Sequence, residues 1–97
     1  MSNRVIMKTD DVSVRIMELD HRTATDWHFH TQVVDFFVCL TGVVQVERRD
    51  PDEKMQLLPG QHLQLHPMQV HRVNNIGDVK AEYLLVQGVG RYDFCKV

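Results

Sequence analysis

His28 and His30 stand one residue apart in the stretch WHFHTQVVDFFVCLTG, residues 27–42, and Asp35 follows five positions after His30 inside an otherwise apolar run. On an extended strand, residues i and i+2 share a face. Both imidazoles therefore point to one locus. Two imidazoles on one face form half of a transition-metal site, because neutral imidazole suits zinc, copper, iron and nickel. A third ligand must come from elsewhere in the chain, and His71, at the start of the strand-like run VHRV, is the candidate. A carboxylate inside an apolar strand is costly unless it is paired or bound to a metal. Asp35 reaches the same side as the histidines only if the chain bends, and Thr31-Gln32 can supply the bend. The competing explanation is two histidines on a solvated face. The flanking Trp27 and Phe29, and the carboxylate that follows, weigh against it.

The elements that must position these residues are strands. Apolar residues alternate in short runs rich in Val, Leu and Phe: VSVRIMEL, DWHFH, DFFVCL, VVQVERR, KMQLL, HLQLH, VHRV and VKAEYLLVQGV, with RYDFCKV as a last short one. In the first of these the alternation is carried by Val12, Val14 and Ile16, with Met17 and Leu19 out of phase. Turn signals separate the runs: Asp50-Pro51-Asp52-Glu53, Pro59-Gly60 and Asn74-Asn75-Ile76-Gly77-Asp78. Eight to ten short strands at close spacing predict an all-β sandwich or barrel, one domain over residues 1–97. A helix over residues 79–86 is the main local competitor, and it has no other helix to pack against.

Composition narrows the classes of function. Hydrophobic residues are 43% and charged residues 25% of the chain, the balance of an ordinary globular protein. The net charge is −2 with scattered cations, so no basic field points to nucleic acid. No apolar run is long enough for a membrane helix, and the first ten residues contain no signal-like apolar core. Cys39 and Cys95 have neither metal-like nor redox-like spacing. The expectation is a cytoplasmic protein with reduced thiols.

The spacing of these residues resembles the cupins, small double-stranded β-helix (jelly-roll) barrels. Their first motif, G-x5-H-x-H-x3,4-E-x6-G, is matched by His28, His30, Asp35 and Gly42. Their second, G-x5-P-x-G-x2-H-x3-N, is matched by Gly60, His71 and Asn75. Arg22 replaces the leading glycine, Asp35 the glutamate, His66 the proline and Met68 the second glycine. The resemblance implies one divalent transition metal ion (iron, manganese, nickel, zinc or copper) on His28, His30 and His71. Asp35 is then either a fourth ligand or a carboxylate beside the ion that orients an imidazole or acts as a base.

With Asp35 facing into such a barrel, Phe37 and Cys39 face in too, Cys39 as a small apolar filler. Phe36, Val38 and Leu40 face out. Leu63 and Leu65 fill the core, His62 and Gln64 are exposed, and His66 lies near the rim. Tyr83 is a candidate for a pocket hydroxyl. An apolar pocket with a cation at one end suits a small organic molecule that chelates through oxygen. A metal-dependent enzyme, dioxygenase-like in the first instance, is one expected function. A non-catalytic ligand-binding or sensing cupin is the alternative. The resemblance also implies a homodimer, and a thin core gains from covering a sheet face or edge.

Overall fold

The computed structural model describes residues 2–97 and contains ten strands and no helix among them. They are β1 Ser2–Lys8, β2 Val12–Leu19, β3 His28–Phe29, β4 Val34–Thr41, β5 Val44–Arg48, β6 Glu53–Leu57, β7 His62–Leu65, β8 His71–Asn74, β9 Ala81–Gly88 and β10 Cys95–Lys96. Two five-stranded sheets form, ordered β1-β2-β9-β4-β7 and β10-β3-β8-β5-β6, and the pairings are antiparallel. The architecture is the expected double-stranded β-helix. Residues 79–86 form no helix, and from Ala81 onward they belong to β9.

Alternation decides what enters the barrel. On β4, Asp35, Phe37 and Cys39 are buried and their neighbours are not. On β9, Ala81, Tyr83, Leu85 and Gln87 are buried. Leu65 is buried and Leu63 packs on the core, while His62 and Gln64 are exposed. The core closes on Met17, Leu19, Phe37, Val44, Val46, Leu57, Val73 and Tyr83. On β2 the inward set is Met17 and Leu19. The more regular stripe Val12, Val14 and Ile16 lies on the outer, half-buried side. The inner parity therefore also carries Arg15.

Strand β1 was not legible as a strand. It pairs with β2 through the Thr9–Val12 turn, where Thr9 N donates to Val12 O at 2.8 Å. All seven of its residues are exposed, so burial left no periodic imprint on its sequence.

Asn75 pins the opposite connection. It is fully buried, donates from Nδ2 to the carbonyls of Leu19 (3.0 Å), Asp20 (3.2 Å) and Val79 (2.8 Å), and accepts from Gly77 N at 3.0 Å. One side chain thus ties the end of β2 to the turn before β9.

The four positions at which the cupin pattern carries glycine all adopt the left-handed backbone conformation. Gly42 has φ 74° and Gly60 φ 88°; Arg22 has φ 55° and Met68 φ 70°. The backbone keeps the conformation after the side chain has changed, at a cost of about 1–2 kcal/mol for each non-glycine residue. Met68 is 61% exposed, so its side chain offsets little of that by packing. Met68→Gly therefore raises stability by about 0.5–1 kcal/mol, since the relief of left-handed strain outweighs the added freedom of the unfolded chain. Denaturant unfolding measures it as a higher midpoint at unchanged slope.

Candidate metal centre

Each of the three histidines is oriented by a backbone carbonyl. His28 Nδ1 lies 2.6 Å from Asp26 O, His71 Nδ1 2.8 Å from Gln69 O, and His30 Nδ1 2.5 Å from Asp93 O. A carbonyl oxygen only accepts, so each Nδ1 carries the hydrogen. In a neutral imidazole the lone pair is then on Nε2. His28 and His71 form a direct cross-strand pair between β3 and β8, which sets two rings side by side with centroids 4.4 Å apart. His30 follows β3, and its ring centroid is 5.0 Å from that of His28. One ligand atom from each of the three lies within 4.8 Å of the others, and all three residues are buried.

Asp35 projects from β4, in the facing sheet, into this group. Its Oδ2 is 3.1 Å from His30 Nε2 and 3.0 Å from His71 Nε2. His71 Nε2 is off the hydrogen-bond direction and is a buried nitrogen with no hydrogen-bond partner. Gln87 Nε2 donates to Asp35 Oδ1 at 2.9 Å, and Arg15 Nη2 donates to Gln87 Oε1.

The electrostatics follow from this packing. Burial lowers the His28 pKa to about 4, and the neighbouring imidazoles act in the same direction. Burial also opposes charge on His30, but its hydrogen bond and charge contact with Asp35 outweigh that and raise its pKa. Burial pushes Asp35 up, yet the contacts with His30 and His71 hold its carboxyl well below the usual carboxylate range. The site therefore contains an ionised buried carboxylate among imidazole nitrogens, and needs a cation. Either a proton on His30 or a metal ion meets that need.

The residues fit a metal ion. Two ligand atoms at right angles, each about 2.1 Å from an ion, stand about 3 Å apart. That is the spacing of Asp35 Oδ2 from His30 Nε2 and His71 Nε2. The orphaned Nε2 of His71 gains a partner, and the backbone carbonyls fix the tautomer that ligation requires.

A cavity of about 240 Å³ opens over the cluster. Phe37, Tyr83 and Leu85 line it from one sheet and Val73 from the other. Tyr83 is 1% exposed, and burial raises its phenol pKa, as does the charge of Asp35. The segment after β9 crosses the mouth. Asp93 accepts from Thr31 N at 2.8 Å and from the Thr31 hydroxyl, Phe94 stacks on His28 at 4.1 Å, and Tyr92 lies 5.4 Å from the His30 ring.

The structure thus brings together His28, His30, Asp35 and His71. His62 and His66 are exposed, and Cys39 is buried in the core. Sequence reasoning missed Arg15, Gln87, Tyr92 and Phe94. Gln87 had a signal, since it shares the parity of Ala81, Tyr83 and Leu85. Arg15 shares that of Met17 and Leu19. Tyr92 and Phe94 carried none, because they lie outside regular strands.

The sequence matches the cupin domain family over residues 15–87, and the chain belongs to that family. No curated protein matches it by sequence. An uncharacterized conserved protein with a double-stranded β-helix domain from Klebsiella pneumoniae superposes with a TM-score of 0.86 at 20% identity, over 99% of this chain and 83% of that one. KdgF from Halomonas sp. gives 0.80 at 17% identity, over 92% and 80% of the two chains. An oxalate oxidase gives 0.82 at 13% identity, over 90% of this chain and 46% of its own. At these identities the likeness is one of fold.

The shifts have a consequence for stability without metal. Unfolded His28 takes up a proton near pH 6.5, whereas folded His28 does so near 4. Protons thus favour the unfolded chain across that window. Raised His30 contributes stability that is fully present below 6.5 and lost only as pH rises through its folded pKa; depressed Asp35 keeps its contribution until pH falls below about 3.8. The melting temperature of metal-free protein therefore falls from pH 6.5 to 4, and His28→Asn flattens the fall in a calorimetric pH series.

Proposed function

We propose that this cupin is a metal-dependent enzyme, dioxygenase-like in its chemistry, acting on a small organic molecule that chelates through oxygen. The observation that supports this most is the grouping of three buried histidines, one ligand atom of each within 4.8 Å of the others, with Asp35 against two of them and every Nδ1 already committed to a backbone carbonyl. His28, His30 and His71 hold the ion, and Asp35 is the fourth ligand. A divalent transition ion with open positions supplies Lewis acidity toward a chelating substrate and, when it is iron or copper, reactivity with dioxygen.

The chain's own residues do the remainder. Gln87 fixes Asp35 so that its Oδ2 faces the histidines. Asp35, ionised and a weak proton acceptor, keeps negative charge at the site. Phe37, Tyr83, Leu85 and Phe94 limit water around the bound molecule.

Purified untagged protein is expected to hold about one equivalent of a transition metal per chain, measured by elemental analysis. A His28→Ala/His30→Ala double variant is expected to lose it while remaining folded by circular dichroism. An iron- or copper-loaded protein is expected to consume oxygen in the presence of a chelating substrate. A metal-loaded protein that binds such molecules without turnover would instead be the sensing or binding module. A wild type that takes up no metal on reconstitution sinks the enzyme reading.

We also propose that the protein is a homodimer. Strand β1 exposes Val5 (55%), Ile6 (53%) and Met7 (57%) at a sheet edge, an arrangement that a second copy would cover. Sedimentation velocity is expected to show a dimer, and Val5→Lys/Met7→Lys a monomer.

A further inference from the structure

Arg15 is a cation built into the cavity wall without an anion to match it. It lies on the inner parity of β2, paired with Val5 of β1 and Leu85 of β9. Its guanidinium spends one donor on Gln87 Oε1, lies 5.4 Å over the Tyr92 ring, and buries its Nε with no hydrogen-bond partner. None of the other arginines lines this cavity, although Arg48 Nε is likewise buried without a partner. Arg22, Arg48 and Arg72 pair with Asp78, Glu53 and Glu47; Arg49 stacks on Trp27; Arg4 and Arg91 are exposed. No carboxylate lies within ion-pair distance of Arg15 among the described residues.

The two carboxylates that line the same cavity are already engaged. Asp35 is taken by His30, His71 and Gln87, and Asp26 at the rim is paired with Lys96 at 3.2 Å. Gln87 separates the two charges. Its amide oxygen faces Arg15 and its amide nitrogen faces Asp35, so the guanidinium stands one carboxamide away from the imidazole cluster. A partly buried guanidinium with unused donors, an aromatic ring beneath it and a single positive charge is matched to one planar carboxylate. A phosphate would call for more cations than the cavity lining has.

We infer that Arg15 anchors the carboxylate of a small organic acid, whose 2-hydroxy or 2-oxo oxygen is directed to the cluster of His28, His30, His71 and Asp35. The cavity volume of about 240 Å³ restricts the acid to a few carbons. The second half of this inference rests on the metal reading above; the first half does not. Arg15 is thus a specificity-determining residue, selecting acids over neutral chelators.

The test is calorimetric binding of lactate and pyruvate, each beside its neutral amide, to metal-loaded and metal-free protein. Wild type is expected to bind the acids at least tenfold more tightly than the amides. Arg15→Gln is expected to abolish that preference by weakening the acids alone, with metal content and melting temperature unchanged. Arg15→Lys is expected to restore part of it, since charge returns without the planar fork. If Arg15→Gln fails to fold, Arg15→Lys and Arg15→Met are compared in its place. A preference that survives the loss of the guanidinium, or its absence from wild type, overturns the inference while metal uptake leaves the metal reading standing. If wild type takes up no metal but its acid preference disappears in Arg15→Gln, the metal reading fails and Arg15 remains the anion anchor.

Discussion

The site depends on one arrangement: a carboxylate placed in the barrel opposite three imidazoles whose orientation the backbone dictates. Asp35 is buried and ionised, which is tolerable only because positive charge or positive dipoles face it. The carbonyls of Asp26, Gln69 and Asp93 settle which nitrogen of each ring faces inward. They come from three separate stretches of chain, one before β3, one before β8 and one after β9. The site is assembled by the closure of the barrel, not by any single strand.

The rest of the interior is graded around that arrangement. Along β4 the inward positions run from Asp35 through Phe37 to Cys39, and along β9 from Gln87 through Leu85 and Tyr83 to Ala81. Antiparallel pairing aligns the two series, with Asp35 opposite Gln87 and Phe37 opposite Leu85. On β2 the sequence from Arg15 to Met17 and Leu19 repeats the gradient. Three adjacent strands thus each turn polar at the same end. The mouth carries charge and hydrogen bonds, and the base carries packing. A polar group moved one residue along any of these strands would change face altogether.

Much of this was legible because side-chain alternation has a period of two. His28 and His30 share a face for that reason, and the burial of Asp35, Phe37 and Cys39 follows from the same rule. His71 stood out at the start of a strand-like run, and the spacing up to Asn75 carried the cupin resemblance that gave it a motif position. Alternation alone, however, does not say which face is inside when both are half-apolar. On β2 the more regular stripe, Val12, Val14 and Ile16, lies on the outer side, so the pattern did not single out Arg15. Strand β1 has no buried face and so no pattern to read. Tyr92 and Phe94 belong to a segment held by contacts with Thr31, Gln32 and Asp11, distant in sequence, which no local signal announces.

The departures from the cupin pattern divide by what the position does. At Arg22 and Met68 the pattern's glycine is gone and its backbone conformation remains. There the surrounding hydrogen bonds, such as Met68 N to His30 O at 2.7 Å, determine the path of the chain, and the side chain points to solvent. At Asp35 the reverse holds. There the side chain is what meets His30 and His71, and one methylene fewer than glutamate withdraws the carboxylate toward its own strand. Gln87, directly opposite on β9, reaches the carboxylate there and holds it. Its other end engages Arg15, so the shorter acid couples the imidazole cluster to a guanidinium through a single amide. The substitution in the motif and the cation in the wall are therefore connected parts of one polar chain across the mouth of the barrel.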